Sequence, residues 1–456
     1  MFFWSNISIN YNVLIKQVSV LLFVTVAASA GAAEITTLRD SVEYAVAHNR
    51  LLAADGSSIE QARAGQDMAS GQFMPRIDLS TGVLRTDAPG DYFGIRLNQQ
   101  RITAADFRPT LLNNPGYINN YQTRLNVRMP VYRGGALWAG KKKADHQAEA
   151  AVLSHDYMQQ QVIYQAIAAY VQTRAAFAAI HAMQTAVNAA EKRYHDTQAL
   201  QKRGVLINSD VMDARVHLLR SGLKLKQANN AYAQARDVLQ RVLGLDGDTT
   251  LRADAEPNLV AREWVLDQAI EQALAERADL KALNEAYQAS QAEVDASAAA
   301  FRPRVDLVAG QEWNASTPAL KNRNSMVAAT ISMNLFAGGA DRARTRASRA
   351  KLIGLELQLS DHKQQVRNEV KHAWRMLDES KARVISEGEA LKQSEESLRI
   401  KSLRYAQGLS KTSDLLDAQL QVDTTRLSTI RANYDVTIAR AALQLAVGML
   451  NEDVIQ

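Results

Sequence analysis

The chain has 456 residues, no cysteine and a formal net charge of +5. Without cysteine there can be no disulfide, thiolate metal site, catalytic thiol or bacterial lipid anchor. Charges of both signs are mixed along the chain, which is typical of solvated helix faces and argues against a nucleic-acid groove. We therefore expect no nucleic-acid partner.

The first 33 residues have the order of features found in an export signal. Lys16 precedes the apolar run VSVLLFVTVAA at 18–28, and small residues follow up to Ala33. A run of 11 apolar residues is too short for a transmembrane helix, which needs about 20, and no later run is comparable. We expect a signal peptide over 1–33; a buried N-terminal helix is the alternative.

The eight prolines divide the rest of the chain. They cluster between Pro75 and Pro130 and between Pro303 and Pro318, with Pro257 alone between the clusters. Because proline is expelled from helix interiors, the proline-free stretches can form long helices, and they are rich in good helix formers. The pattern predicts helices at 136–203, 209–243, 340–407 and 413–447.

Inside the proline clusters, apolar residues alternate with polar ones. In PRIDLSTGV, for example, Ile77, Leu79 and Val83 share one face. The alternation predicts strands at about 75–87, 119–132, 303–313 and 325–336, with a long surface loop over 88–118. Strands of about ten residues with aromatics at both ends are typical of transmembrane β-strands; ordinary half-buried strands are the alternative. The aromatics at one end are Phe73, Tyr132, Phe301 and Phe336, and those toward the other are Tyr92, Phe93, Tyr117, Tyr121 and Trp313.

The chain contains an internal repeat. NSDVMDAR at 208–215 and TSDLLDAQ at 412–419 are 204 residues apart, and Gly134 and Gly338 have the same spacing. Upstream of the hairpins the spacing is 228 residues, between FMPRIDL and FRPRVDL, and the additional 24 residues fall in the loop at 88–118. The repeats are 34–256 and 257–456, each with the order helix, strand, loop, strand, helix.

The helices of both repeats carry heptads. Val211, Leu218 and Leu225 recur every seven residues beside a row of small residues, and the second repeat has a matching pair of rows. Additional apolar positions predict a second packing side, as in a curved wall of helices. A solitary antiparallel coiled coil is the alternative.

Several motifs resemble those of the TolC-like outer-membrane efflux proteins over essentially the whole mature chain. They are PRVDL, PVYRGG, NLFAGG, RYAQGLSKTSDLLDAQ, LQRVLGL and LQLAVGML. The resemblance implies a mixed α/β membrane protein and a homotrimer. Its 12-stranded transmembrane β-barrel would continue into a long periplasmic α-helical coiled-coil barrel. It also implies a passive exit duct in contact with outer-membrane lipid, coupled through a periplasmic adaptor (membrane fusion protein) to an inner-membrane RND or ABC transporter.

The resemblance also implies site residues. The family's constriction would comprise Asp414, Asp417, Asp210, Asp213 and Tyr405, with tip turns at Gly204 and Gly408. The arginine of the family's prototype is Ser410 here, so a clamp to Asp210 is made by Lys411 or is absent. The aspartates alternatively serve only as a helix N-cap and its neighbour three residues on. The strand–helix junctions are Pro75, Pro303, Gly134, Gly135, Gly338 and Gly339.

Signs of catalysis are weak. The eight histidines show no metal-ligand pairing and no G-x-S-x-G motif is present. GALWAGKK at 135–142 resembles a phosphate-binding loop, but Lys142 stands where Ser or Thr would bind magnesium. We expect no enzyme activity, cofactor or metal. The rival function is a periplasmic adaptor or coiled-coil scaffold without a membrane barrel.

Overall fold

The computed structural model describes residues 36–245, 253, 255–260 and 262–455, so the predicted signal peptide lies outside the described residues. The first repeat contains α1 (Leu38–His48), α2 (Arg50–Gly71), β1 (Arg76–Thr86), α3 (Pro89–Asn98), α4 (Pro109–Asn113), β2 (Ile118–Arg133), α5 (Ala136–Lys202) and α6 (Asn208–Leu243). The second contains α7 (Leu266–Glu276), α8 (Ala278–Ala298), β3 (Arg304–Ala315), β4 (Arg323–Ser332), α9 (Ala340–Ala406) and α10 (Thr412–Val447). The four helices and four strands predicted from the sequence correspond to α5, α6, α9, α10 and β1–β4.

Two segments differ from the sequence-based expectation. The sequence predicts that the last strand reaches 336, but it ends at Ser332, because Ser332 pairs with Arg304, the first residue of β3, and no described residue pairs with the chain beyond it. Phe336 is consequently 85% exposed in the turn before α9. The long loop at 88–118 contains α3 and α4, and both begin with a proline, whose fixed φ suits the first helical position.

The strands form one antiparallel sheet in the order β1-β2-β3-β4, and β1 and β4 are its edges. One face is apolar and exposed: Leu79 and Val327 are 71% and 83% accessible. The other face is polar, since Arg124 pairs with Ser80 on one side and with Glu312 on the other. The sheet is therefore two-faced, with its apolar face uncovered in the isolated chain.

The helices continue the sheet as a wall. α2, α5, α8 and α9 are packed side by side in the same order as β1, β2, β3 and β4, to which they connect. α6 packs against α5, and α10 against α9. α5 and α9 each have 67 residues, so each extends for roughly 100 Å at 1.5 Å per residue. Among the described residues, no helix has both the length and the apolar character needed to cross a membrane.

The core of the helical part lies along these seams. Ala182, Met183 and Ala186 of α5 contact the heptad residue Leu225 of α6 and Leu427 of α10, so small side chains allow close helix packing. A larger cluster surrounds the fully buried Tyr170, whose hydroxyl lies 2.9 Å from the carbonyl oxygens of both Thr36 and Ala255. These contacts hold both ends of the first repeat, at Thr36 and Ala255, against the middle of α5.

Candidate functional site

The two long hairpins turn at glycines. Gly204 and Gly408 have φ of 75° and 73°, the left-handed conformation that glycine adopts without strain. The turn is closed by a bond from the Leu409 amide to the Arg404 carbonyl, at 2.8 Å, and by its equivalent from Val205 to Leu200. No atom would lie within 4 Å of an added Cβ at either glycine, so conformation, and not lack of space, requires glycine.

The repeated aspartates cap the helices that follow these turns. Asp210 and Asp414 are the third residues of α6 and α10, and each accepts a hydrogen bond of 3.3 Å from the backbone amide of Ile207 or Lys411. The alternative that places an aspartate at the N-cap itself is wrong, because α6 and α10 begin two residues before Asp210 and Asp414. Ile207 and Lys411 occupy the N-cap, and neither side chain can accept a bond there, so the carboxylate three residues later supplies the cap.

The second aspartate of each phrase is one turn further along its helix. Asp213 and Asp417 are exposed, and within the described part of the chain neither has a hydrogen bond or an ion pair. Asp414 is also exposed, although it accepts a further bond of 3.3 Å from the Ser410 hydroxyl. The tip of the second hairpin thus presents two accessible carboxylates, of which only one has a structural role.

The other two predicted aperture residues contact their own turn. The hydroxyls of Tyr405 and Thr412 are 3.4 Å apart, which joins the end of α9 to the start of α10. Lys411 is exposed, and among the described residues it makes no ion pair with Asp210. Tyr405 lies close enough to the first hairpin to interact electrostatically with Arg193 of α5. The clamp between Lys411 and Asp210 remains a prediction.

A buried polar layer farther along the hairpins was missed from the sequence. Asp423 of α10 is buried and accepts a bond of 3.0 Å from Gln419, and its charge acts on Arg193 of α5 and His217 of α6. His217 Nδ1 and Arg193 Nη1 are buried and have no hydrogen-bond partner among the residues that the structure describes. Burial lowers the pKa of His217 and of Arg193. The sequence contains a signal for this layer, because Asp423 lies seven residues after Leu416 and seven before Ile430 and so shares a heptad position with two apolar residues.

The strand–helix junctions use glycine pairs in the left-handed conformation. Gly134 and Gly135 have φ of 65° and 92°, and Gly338 and Gly339 have φ of 61° and 85°. A Cβ at Gly134 would lie 2.7 Å from the Ala299 carbonyl oxygen, whereas nothing lies near Gly338. Pro75 and Pro303 immediately precede β1 and β3.

Arg277, also missed from the sequence, joins three helices at the α7–α8 turn. It is 2% exposed and donates to Asp279 at 2.6 Å, to Glu369 of α9 at 2.5 Å and to the Ala446 carbonyl of α10. Burial lowers the pKa of Arg277, but the bonds to Asp279 and Glu369 outweigh burial and raise it. A single arginine in an alanine-rich sequence belongs to no pattern from which a buried role between helices could be predicted. No cluster of metal-ligating side chains occurs in the described ranges.

A two-faced sheet that continues into a wall of paired 67-residue helices defines a class of proteins, the membrane channels with a long helical extension. The sequence matches the family described as outer membrane efflux protein over residues 42–245 and 269–449. The chain belongs to this family. Membership places it in the outer membrane, with its helical part on the periplasmic side.

Individual relatives agree with this assignment. The chain is 26% identical to Protein CyaE of Bordetella pertussis over 69% of its own length and 63% of CyaE, so the match spans less than two thirds of that relative. It is 23% identical to the outer membrane efflux protein BepC of Brucella suis, over 83% of the chain and 80% of BepC. The Campylobacter jejuni CmeC outer membrane channel has the same fold, with a TM-score of 0.80 at 15% identity over 91% of this chain and 86% of CmeC.

Proposed function

We propose that the protein is a passive outer-membrane exit duct for efflux or secretion. The observation that carries the proposal is the sheet, which exposes an apolar face, presents a polar face on the other side and continues directly into the helical wall. An apolar face that faces lipid and a polar face that faces water are the two requirements for the wall of a membrane pore. Family membership and the printed name of BepC support the same function.

The duct is a homotrimer in this proposal. Four strands are too few to enclose a pore, and the free edges of β1 and β4 would leave backbone groups unpaired in lipid. Three copies, with β4 of each chain against β1 of the next, give 12 strands and no free edge. The four helices that continue the strands then close into a coiled-coil barrel below the membrane.

The helical tips form the periplasmic aperture. With three chains around one axis, Asp414 and Asp417 supply six carboxylates at the narrowest point. Tyr405, Lys411 and the first-hairpin aspartates lie nearby. Because the duct has no energy source of its own, transport is driven by an inner-membrane RND or ABC transporter that reaches the tips through a periplasmic adaptor. An adaptor or coiled-coil scaffold is not favoured, because neither needs a two-faced sheet.

Disulfide trapping tests the trimer directly, because the chain contains no cysteine of its own. Leu79→Cys on β1 is combined in turn with Val327→Cys, Ala329→Cys and Ile331→Cys on β4. Oxidation of outer-membrane fractions should give covalent dimers and trimers for at least one pair. The control replaces Leu79→Cys by Thr123→Cys on the interior strand β2, which has no free edge and should give none. Recovery of the protein as a soluble monomer, with no crosslink for any pair, would contradict the proposal.

A further inference from the structure

A cavity of about 810 Å³ opens where the strands meet the helices. Its basic lining residues are Arg76, Arg128, Arg133, Arg304 and Arg344. Arg76 pairs with Arg128 across β1 and β2, and Arg133 pairs with Arg304 across β2 and β3. By this register the four strand arginines lie on the polar face of the sheet.

Such pairing is unfavourable for the sheet itself. Like charges directly opposite each other on neighbouring strands destabilise the pairing, and the arrangement occurs twice within one cavity. A purely structural role would favour opposite charges at these positions, as Arg124 and Glu312 show further along the same face. The two arginine pairs therefore point to a ligand that neutralises them.

The chain supplies few counter-charges. Arg76 bonds to Asp78 and Arg133 to Asp306, whereas Arg128, Arg304 and Arg344 have no ion pair or side-chain hydrogen bond in the part of the chain that the structure describes. Arg133 Nε is buried and has no hydrogen-bond partner within the described ranges. The one acidic residue that lines the cavity, Glu293, already contacts Lys143 at 3.2 Å and Lys351 at 2.9 Å. Three solvent-exposed guanidinium groups at this cavity thus have no counter-charge from the described part of the chain.

The rest of the lining is partly apolar. Met68, Met74, Pro130 and Leu137 contribute side chains to the same cavity. Guanidinium groups match carboxylate, sulfonate and phosphate oxygens bidentately, and methionine side chains adapt to irregular apolar surfaces. The cavity therefore offers guanidinium groups for an anion and an adaptable apolar surface for the rest of a ligand.

We propose that this cavity binds organic anions that carry an apolar body and a carboxylate, sulfonate or phosphate group. The inference rests on the proposed function, because the polar face of the sheet is the lumen of the duct. It extends that function by naming a substrate class that pauses between the helical barrel and the membrane. A lipid headgroup shares the phosphate chemistry but would have to reach the cavity from outside the lumen.

Binding is measured on the purified full-length protein in a neutral detergent, with 2-naphthalenesulfonate as the probe and calorimetry as the readout. Neutral 2-naphthol measures the contribution of the probe's apolar body alone, and inorganic phosphate measures the contribution of its anionic group alone. The variants are Arg128→Gln, Arg304→Gln and Arg344→Gln, made singly. Arg344 lies on α9 and outside the sheet, so its variant tests the site even if a strand variant fails to fold. The matched controls are Arg342→Gln and Arg346→Gln, exposed neighbours on α9 that do not line the cavity.

Each cavity variant should weaken naphthalenesulfonate binding about tenfold or more, as expected for loss of one charge-assisted hydrogen bond, while the controls bind like the wild type. Equal affinity in Arg344→Gln and the wild type would overturn the proposal. So would a preference for phosphatidylglycerol, added as mixed micelles with the same neutral detergent, over naphthalenesulfonate, because the cavity would then be a lipid site. The binding measurement does not depend on channel activity. A protein that binds the probe but forms no channel would therefore contradict the proposed duct function and still support the anion site.

Discussion

Asp414 accepts a hydrogen bond from the backbone amide of Lys411 at 3.3 Å, and it does so as the third residue of α10. Asp210 repeats the contact in the first hairpin, so the first aspartate of each repeated phrase stabilises a turn. Asp417 has no such bond within the described residues. Of the two roles weighed for these aspartates, helix cap and aperture charge, Asp417 can therefore have only the second, whereas Asp414 can have both.

Single substitutions at the second hairpin should separate these roles. Asp417→Asn should leave stability unchanged but reduce block of the channel by divalent cations, because it removes three charges from the proposed trimer and no cap. Asp414→Asn should reduce block as well and also cost about 0.3 to 1 kcal/mol, because asparagine can still accept the amide bond but lacks the negative charge that the helix dipole favours. Thermal unfolding and planar-bilayer recording give the two readouts. Asp213→Asn, in the first hairpin, is the matched comparison.

If Asp417→Asn lowered the unfolding temperature and left cation block at the wild-type level, the carboxylates would act only as structural elements of the turn.

The two glycine pairs at the strand–helix junctions should respond unequally to alanine. Both Gly134→Ala and Gly338→Ala place alanine at positive φ, which costs about 1 kcal/mol. Only at position 134 would the added Cβ also lie 2.7 Å from the Ala299 carbonyl oxygen, and this overpacking should cost about 1 to 3 kcal/mol in addition. The thermal unfolding midpoint of Gly134→Ala should therefore fall well below that of Gly338→Ala, as measured by circular dichroism in detergent. Equal midpoints would show that Ala299 moves away without cost.

Much of the fold could be predicted because hydrophobic periodicity and proline placement report backbone geometry directly. The alternation around Ile77 and Leu79 indicated β1, and the heptads from Val211 indicated α6. The features that could not be predicted depend on residues that are distant in the sequence and adjacent in the fold. The end of β4 is set by where β3 begins, and the cavity arginines become neighbours only through the strand register.

At the tips of the helical hairpins, too, the sequence predicts the pattern but not the role of each residue. The spacing of Asp210 and Asp213 indicated a capping pattern, but which residue caps depends on where the helix begins, and that start is two residues before Asp210. The buried role of Arg277 depends on Glu369, which is 92 residues away along the chain.

Removal of the Arg277 side chain should destabilise the protein strongly. Arg277→Leu leaves Asp279 and Glu369 without their buried counter-charge, for which breaking a buried pair typically costs about 3 to 5 kcal/mol. Arg383→Leu, whose partner Glu379 is exposed, should change stability by less than about 1 kcal/mol. Thermal unfolding of both variants in detergent checks the difference. Similar midpoints would mean that His362, which is 3.0 Å from Asp279, and solvent compensate for the lost charge.

His217 should make the helical hairpins less stable in mild acid. Burial lowers the pKa of His217, the charge of Asp423 acts in the opposite direction, and Arg193, Lys224 and Arg220 lower the pKa further. Because the folded-state pKa lies below the unfolded value of about 6.5, the unfolded chain takes up the proton first as pH falls. Stability should thus be retained above about pH 6.5 and decrease below it, until the folded-state pKa is passed.

The measurement compares thermal unfolding at pH 7.5 and pH 5 in the wild type and in His217→Gln. The substitution should remove part of the acid-induced decrease, whereas His195→Gln, which alters an exposed imidazole of α5, should leave it unchanged. An unchanged pH dependence in His217→Gln would assign the decrease to other groups.

The central claim is that this chain forms a duct through the outer membrane, and single-channel recording of the purified full-length protein in planar bilayers tests it most directly. We expect channels of low conductance and cation selectivity, because the proposed aperture is narrow and lined by carboxylates. Divalent cations should block these channels when added on the side of the helical tips. Crosslinked trimers that insert into the bilayer but give no conductance, with or without the Asp414→Asn and Asp417→Asn substitutions, would contradict it.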